Sequence, residues 1–183
     1  MKFPGTTINT ERIDPQTARA LLDGAFASGG LVLSQVTALT GLELYTVQNW
    51  VKRGFVAPPV GKKYSRRQLC RLVTINMLKD SMAIGDITFM LSYINGVLDD
   101  ESDDTVSDDT LYLYFIAMLA AVEGADSDEV RAAAEAATAD YTETAAGARE
   151  RIISVLEIMY YAYRSAQYSK SAAGILARCK GNE

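Results

Sequence analysis

Gln48 and Asn49 stand side by side, with Tyr45 and Thr46 just before them and Lys52 and Arg53 just after. The chemistry this combination suits is the reading of a nucleic acid. Amide side chains can make paired hydrogen bonds to the adenine edge in the major groove. Lysine and arginine neutralise phosphates, and threonine and tyrosine hydroxyls donate to phosphate oxygens. A second basic group follows, Lys62-Lys63-Tyr64 and then Arg66 and Arg67. The paired lysines and the tyrosine suit a clamp on a sugar-phosphate backbone. Arg66, Arg67 and Arg71 fall near the start, or on the exposed side, of the next helix. Positive charge there slightly disfavours the helix dipole. A phosphate partner would offset that cost, and a plain surface cluster is the alternative.

Other chemistries lack their usual parts. The chain has no histidine, so the commonest general base and the commonest metal ligand are missing. Its two cysteines, Cys70 and Cys179, are far apart and outside any metal-spaced cluster. There is no glycine-rich phosphate loop. An enzyme is therefore not expected, and neither is a cofactor or a metal. With two separated cysteines, no run of about eighteen apolar residues and no apolar stretch of signal-peptide length at the start, the expected setting is the cytoplasm, with no membrane partner.

The 183 residues carry a net charge of −5, which would argue against nucleic acid if it were evenly spread. Residues 31–80 hold eight Lys/Arg against two Asp/Glu, a net of +6, whereas residues 81–183 hold seven against eighteen, a net of −11. Charge has to be read module by module, and the basic module is the one that carries the candidate reading residues.

The elements that must position those residues can be laid out in order. Residues 1–13 read as a mobile or loosely packed arm. Asp14-Pro15 predicts a helix N-terminus, with Ala18, Leu21, Leu22, Ala25 and Phe26 on one face to about Ala27. A short helix from Leu33 to Leu39 follows, with Ser34 as its cap, and Gly41 stands where the chain must turn. The second helix, Glu43 to Arg53, directs Leu44, Val47 and Val51 inward and Tyr45, Thr46, Gln48, Asn49, Lys52 and Arg53 outward. Polar residues opposite apolar ones also mark any solvated amphipathic helix, so this helix alone leaves both readings open. Ala57-Pro58-Pro59-Val60-Gly61 breaks the helical pattern, and Lys62-Lys63-Tyr64 reads as one strand of a two-stranded wing. Ser65 caps a helix to about Lys79, and a further helix runs from about Ile84 to Leu98.

This stretch, residues 31–91, resembles the DNA-binding domain of the MerR family. The matching positions are Ala38, Gly41, Leu42, Thr46, Val47, Trp50, Gly54 and Phe55, then Tyr64, Ser65, Gln68, Leu69 and Leu72 after the wing, with a looser match over Ser81 to Ile87. Departures are concentrated on the reading surface. Gln48 stands in place of the usual arginine, Trp50 in place of a tyrosine, and Lys62 roughly where the wing arginine would be. The resemblance implies a homodimer on a roughly palindromic site of double-stranded DNA, one recognition helix per subunit in a major groove, and a promoter distorted for transcription control.

Residues 99–109, DDESDDTVSDD, read as an acidic linker. A solvated hinge is the favoured reading, and a DNA-mimicking tail that competes for the basic face is the other. Ser107 caps a helix to about Glu123, and Asp126 with Glu129 resembles a capping box for an alanine-rich helix to about Ala145. A last helix from about Ala148 to Ala177 carries Ile152, Val155, Leu156, Met159, Tyr163 and Ala166 at the spacing of a packing face or a dimer seam. Met159, Tyr160, Tyr161 and Tyr163 could alternatively line an effector pocket for a small molecule or protein. The expected organisation is an arm and helix (1–30), a winged helix-turn-helix (31–98), the linker (99–109) and a dimerisation or effector region (110–183). The expected fold is all-α with a small two-stranded wing. The expected function is a sequence-specific transcriptional regulator. A helical protein-interaction module whose helix-turn-helix no longer binds DNA is the alternative.

Overall fold

The computed structural model describes residues 1–96, 98, 104–122 and 127–181. Among them the fold is mostly helical, with eight helices and one two-stranded antiparallel sheet. Helix α1 (Pro15–Phe26) starts where the sequence predicts it, because the Asp14 carboxylate accepts the Thr17 N–H at 2.8 Å and Pro15 occupies the first turn. Strand β1 (Leu31–Val32) leads into α2 (Leu33–Thr40), Gly41 turns the chain at φ 70°, and α3 (Leu44–Lys52) follows. Strand β2 (Lys63–Tyr64) then precedes α4 (Arg66–Leu78), α5 (Ile84–Asn95), α6 (Asp108–Ala121), α7 (Ser127–Ala137) and α8 (Ala148–Gly181).

The wing is built differently from a simple hairpin. β2 pairs with β1, Leu31 opposite Tyr64 and Val32 opposite Lys63, so the sheet joins the start of α2 to the end of the wing. The wing loop closes on itself through a single Val60–Lys63 bridge. Gly61 and Lys62 between them both have positive φ, 56° and 63°, as a type I′ hairpin turn requires. The base of the loop is tied down by Gln68, whose Nε2 donates to the carbonyls of Ala57 and Pro58 at 3.0 and 2.9 Å. Gln68 also completes the capping box of α4: its backbone N–H reaches Ser65 Oγ, and its Oε1 accepts the Ser65 N–H at 2.7 Å.

Several expectations need correction. Residues 1–13 are not a loose arm. They fold back in a small hairpin, with a Lys2–Asn9 bridge, and Phe3 is buried. Thr7 Oγ1 donates to the Ala38 and Leu39 carbonyls at the end of α2. Ser34 does not cap α2. Val32 holds that position, and the Gln35 side chain accepts its N–H at 2.9 Å. Leu44 is half exposed instead of inward, and Trp50 lies in the core beside Val47. Helix α5 ends at Asn95, with Gly96 at φ 54°, and α7 ends at Ala137, earlier than expected. Asp126, half of the expected capping box, lies outside the described residues.

The acidic segment is also not a solvated hinge where it is described. Thr105 and Val106 are buried, Asp108 is buried, and Tyr141 Oη donates to the Thr105 carbonyl at 2.9 Å. Residues 99–103 lie outside the described residues. From Ser107, which caps α6 by accepting the Thr110 N–H, the chain enters the centre of the molecule. Helix α6 packs on α1, α4, α7 and α8. Leu111, Tyr112, Leu113, Phe115, Ile116 and Met118 are all buried, over more than half of the helix surface. So wide a buried apolar face marks a helix that packs at the centre of the core. The stripe expected on α8 closes this intrachain bundle: Ile152, Val155, Leu156, Met159 and Ala166 are buried and Tyr163 packs against Phe115. Beyond Ala166 the remaining residues of α8 are exposed.

Candidate nucleic-acid interface

The outward face of α3 and the wing share one open groove. Gln48 and Lys52 line it from α3, Lys62 from the wing tip, Ser34 from the start of α2, and Pro59 from the loop base. Its volume is about 690 Å³, and no lining residue is acidic. Lys62 stands in the tight turn with Gly61 and lines the groove from there. Lys63 is exposed too, but it lines the neighbouring hollow that Arg67, Arg71 and Asp108 also line. Ser34, which makes no cap, is exposed and lines this groove. The missed signal was Gln35, whose side chain is long enough to reach back to the N-cap amide and so release Ser34 from that role.

Along α3 the predicted reading residues do not all stand alike. Tyr45 is 76% exposed, and Gln48, Lys52 and Arg53 are exposed, whereas Thr46 and Asn49 are half-buried. Arg53 lies with its guanidinium 4.7 Å above the Phe55 ring, a cation–π contact that holds it at the helix end. Tyr64 departs furthest from expectation. It is buried in the core, and burial raises the pKa of its phenol above the ordinary value, so its ring is a packing element under the sheet.

The arginines of α4 point elsewhere. Arg66 pairs with Asp23 of α1, and its Nε lies 3.0 Å from the Asp109 carboxylate. Arg67 pairs with Asp104. Arg71 is buried, with Nη1 3.4 Å from Asp108 and Nε donating to the Phe55 carbonyl at 2.8 Å. Residues 104–109 therefore run along the arginine face of α4 and give one carboxylate to each guanidinium. Asp108 is pulled in two directions: burial raises its pKa, and the Arg71 and Arg67 guanidiniums lower it, with burial the larger effect. In sequence these arginines and the lysines of the wing form one basic run. In the structure Lys62 is the member of that run that lines the α3 groove, and Lys63 is exposed on the side of Arg67 and Arg71.

Among the described residues no group of three acidic or thiol side chains is placed to hold a metal ion, and no helix is long and apolar enough to cross a membrane. Burial pushes the Cys70 thiol well above its usual range, so it stays protonated.

Residues 29–115 match a family model described as a domain of unknown function, DUF1836. The matched stretch begins just before β1 and ends within α6, so it includes the helix-turn-helix, the wing and the carboxylates that meet the α4 arginines. The chain is also similar to the "Uncharacterized protein YkrK" of Bacillus subtilis (strain 168), at 30% identity over 103 residues. That similarity covers 54% of this chain and 44% of the relative, so the chain spans less than half the length of the curated relative it matches. No solved structure matches the chain.

Proposed function

We propose that the chain is a DNA-binding regulator of the MerR-like type, with α3 as the helix that enters a major groove and the wing as the backbone clamp. The observation that carries this reading is the shared groove: Gln48, Lys52 and Lys62 converge on one acid-free concave surface, while Arg66, Arg67 and Arg71 are neutralised within the chain. Base preference then rests on Gln48 and Asn49, and non-specific affinity on Lys52, Arg53, Lys62 and Lys63. Arg66, Arg67 and Tyr64 take a supporting part, holding the wing and α4 in place.

A homodimer would bring two such surfaces to one duplex. The α8 stripe, whose spacing suits a packing face or a dimer seam, packs inside the chain, so a dimer contact would use the other side of α8. Ile158, Tyr161, Tyr168 and Ile175 are exposed there, at spacings of three and seven residues, which keep one seam on a helix.

The test is fluorescence polarisation of duplex DNA from the region upstream of the gene, over a salt series. Each phosphate neutralised contributes a slope of about −0.9 in log K against log salt. A steep slope with a sequence preference supports the reading, and absence of binding at low salt ends it. In that case the interaction-module reading takes over. It is favoured by the two large exposed side chains at the start of α3, Leu44 and Tyr45.

A further inference from the structure

Between the N-terminal hairpin, α1 and the helix-turn-helix lies an apolar crevice of about 220 Å³. Its floor is Phe3, Ala18, Leu69, Cys70, Val73 and Tyr112, all nearly inaccessible to solvent. Its rim is formed by Ile8, Leu22, Ala25 and Leu39, which are half-buried, and by the more exposed Leu21. No charged side chain lines it. The nearest polar groups have other partners or stay neutral. Thr6 Oγ1 donates to the Phe3 carbonyl, Tyr112 Oη donates to the Pro4 carbonyl at 2.9 Å, and the Cys70 thiol stays protonated.

The crevice is held open by its walls. Tyr112 anchors Pro4, and Asn76 Nδ2 donates to the Gly5 carbonyl and to the Thr40 carbonyl, both at 2.9 Å. Gly5 itself, at φ 72°, approaches α4 so closely that a Cβ would lie 2.2 Å from the Val73 carbonyl oxygen. These contacts pin the hairpin to α4 and α6. The opposite wall, α1, is fixed by its packing on α6. Collapse of the gap would need one of these anchors to break. A preformed apolar hollow of this size holds water poorly, since a water needs two or more polar partners.

We infer that this crevice is a binding site for a small uncharged aromatic or aliphatic molecule, and that its occupancy is felt by α2. The chemical class follows from the lining. A charged ligand would lose its hydration with no counter-charge to meet it, whereas a hydrocarbon ring with a short side chain fills the volume; for scale, an engineered cavity of about 150 Å³ lined by apolar side chains binds benzene. The coupling follows from shared parts. Leu39, on the rim, belongs to the last turn of α2, and Thr7 of the hairpin donates to the Ala38 and Leu39 carbonyls of that turn. A ligand that braces the hairpin against Leu39 therefore braces the helix that packs on α3. The inference does not depend on DNA binding, and neither does its test.

The probe is n-butylbenzene, titrated into the full chain and followed by methyl-resolved NMR. The expected result is saturable shifts confined to the methyl groups of Ile8, Leu22, Leu39, Leu69 and Val73. Ala25→Phe, which places a ring across the rim, should abolish them. Shifts that are absent, that centre on the exposed side of α8, or that survive Ala25→Phe overturn the site. Should that variant fail to fold, intermolecular NOEs in the wild-type chain decide: cross-peaks from the probe ring to the Leu22, Leu69 and Val73 methyl groups are expected, and their absence at saturating probe overturns the site. Coupling is read from amide exchange at Thr7 and at Gly41, whose N–H closes the last turn of α2 on Thr37. Slower exchange is expected with probe bound, and unchanged exchange at a filled site overturns the coupling.

Discussion

Arg71 and Asp108 form an ion pair at 3.4 Å with side chains only 6% and 8% exposed, and the same guanidinium donates to the Phe55 carbonyl at 2.8 Å. Arg71 lies in the middle of α4, Asp108 opens α6, and Phe55 follows the turn that ends α3. One side chain thus ties the start of the C-terminal bundle to the end of the candidate reading helix. Both charges are taken out of water, so the pair matters less for any net gain than for what is left when one member is lost.

Removing either partner alone should be costly. Arg71→Leu leaves Asp108 buried without its main counter-charge, and the expected loss is about 3–5 kcal/mol in urea unfolding. The double variant Arg71→Met, Asp108→Leu should recover most of that loss. A double variant as unstable as the single one would show that the Phe55 carbonyl, and not the ion pair, is the important contact.

The same pair has a pH signature. Burial raises the Asp108 pKa above that of an unfolded aspartate, so the folded state binds its proton more tightly. This group therefore favours the folded state at low pH, and that contribution is lost as pH rises from the unfolded value through the raised one. Asp14 has the opposite sign. The Thr17 N–H lowers its pKa, so its contribution is present above the ordinary carboxylate value and lost as pH falls through the lowered one. Carboxyl carbon NMR should find Asp108 titrating above Asp14, and Arg71→Met should move Asp108 higher still. A downward movement would contradict the assigned cause.

On the proposed interface, Lys63→Ala should weaken binding to all duplexes alike and reduce the salt slope by about 1. Gln48→Ala should instead flatten base preference, by about 1–3 kcal/mol at the position it reads. Lys62→Asn separates charge from backbone. Asparagine tolerates the positive φ that lysine holds there, so the wing should keep or gain stability while DNA affinity falls. Equal affinity for Lys62→Asn and wild type would remove Lys62 from the interface.

The outer stripe of α8 is expected to set the oligomeric state. Tyr168→Glu with Ile175→Glu should shift sedimentation from dimer to monomer with no loss in melting temperature, because both side chains are exposed in the single chain. A wild-type chain that sediments as a monomer at micromolar concentration would count against this seam.

How much of this was legible in the sequence depends on the range of the forces involved. The starts of α1 and α4 were readable from Asp14-Pro15 and from Ser65 with Gln68, and the turn after α2 from Gly41. In each case the stabilising group lies within three residues of the site it serves. The outward direction of Gln48, Lys52 and Arg53 followed from helical period alone. Residues 1–13 could not be placed this way, because Phe3, Gly5 and Thr7 are held by Asn76, Tyr112 and the end of α2, far along the chain.

The clearest division lies in the basic run from Lys62 to Arg71. Its charge, its helix boundary and the turn at Gly61-Lys62 were set by local sequence, whereas the strand that follows pairs with the distant Leu31-Val32. Which of its cations stay open was decided only by the tertiary structure, when α6 brought Asp104, Asp108 and Asp109 alongside α4. The tertiary structure likewise buries Tyr64 and places Tyr112 of α6 in the crevice beside Cys70. Local sequence states which charges and shapes exist. Only the packed chain decides which of them are paired with one another and which remain for a partner, because pairing depends on distances between segments that local propensity does not set.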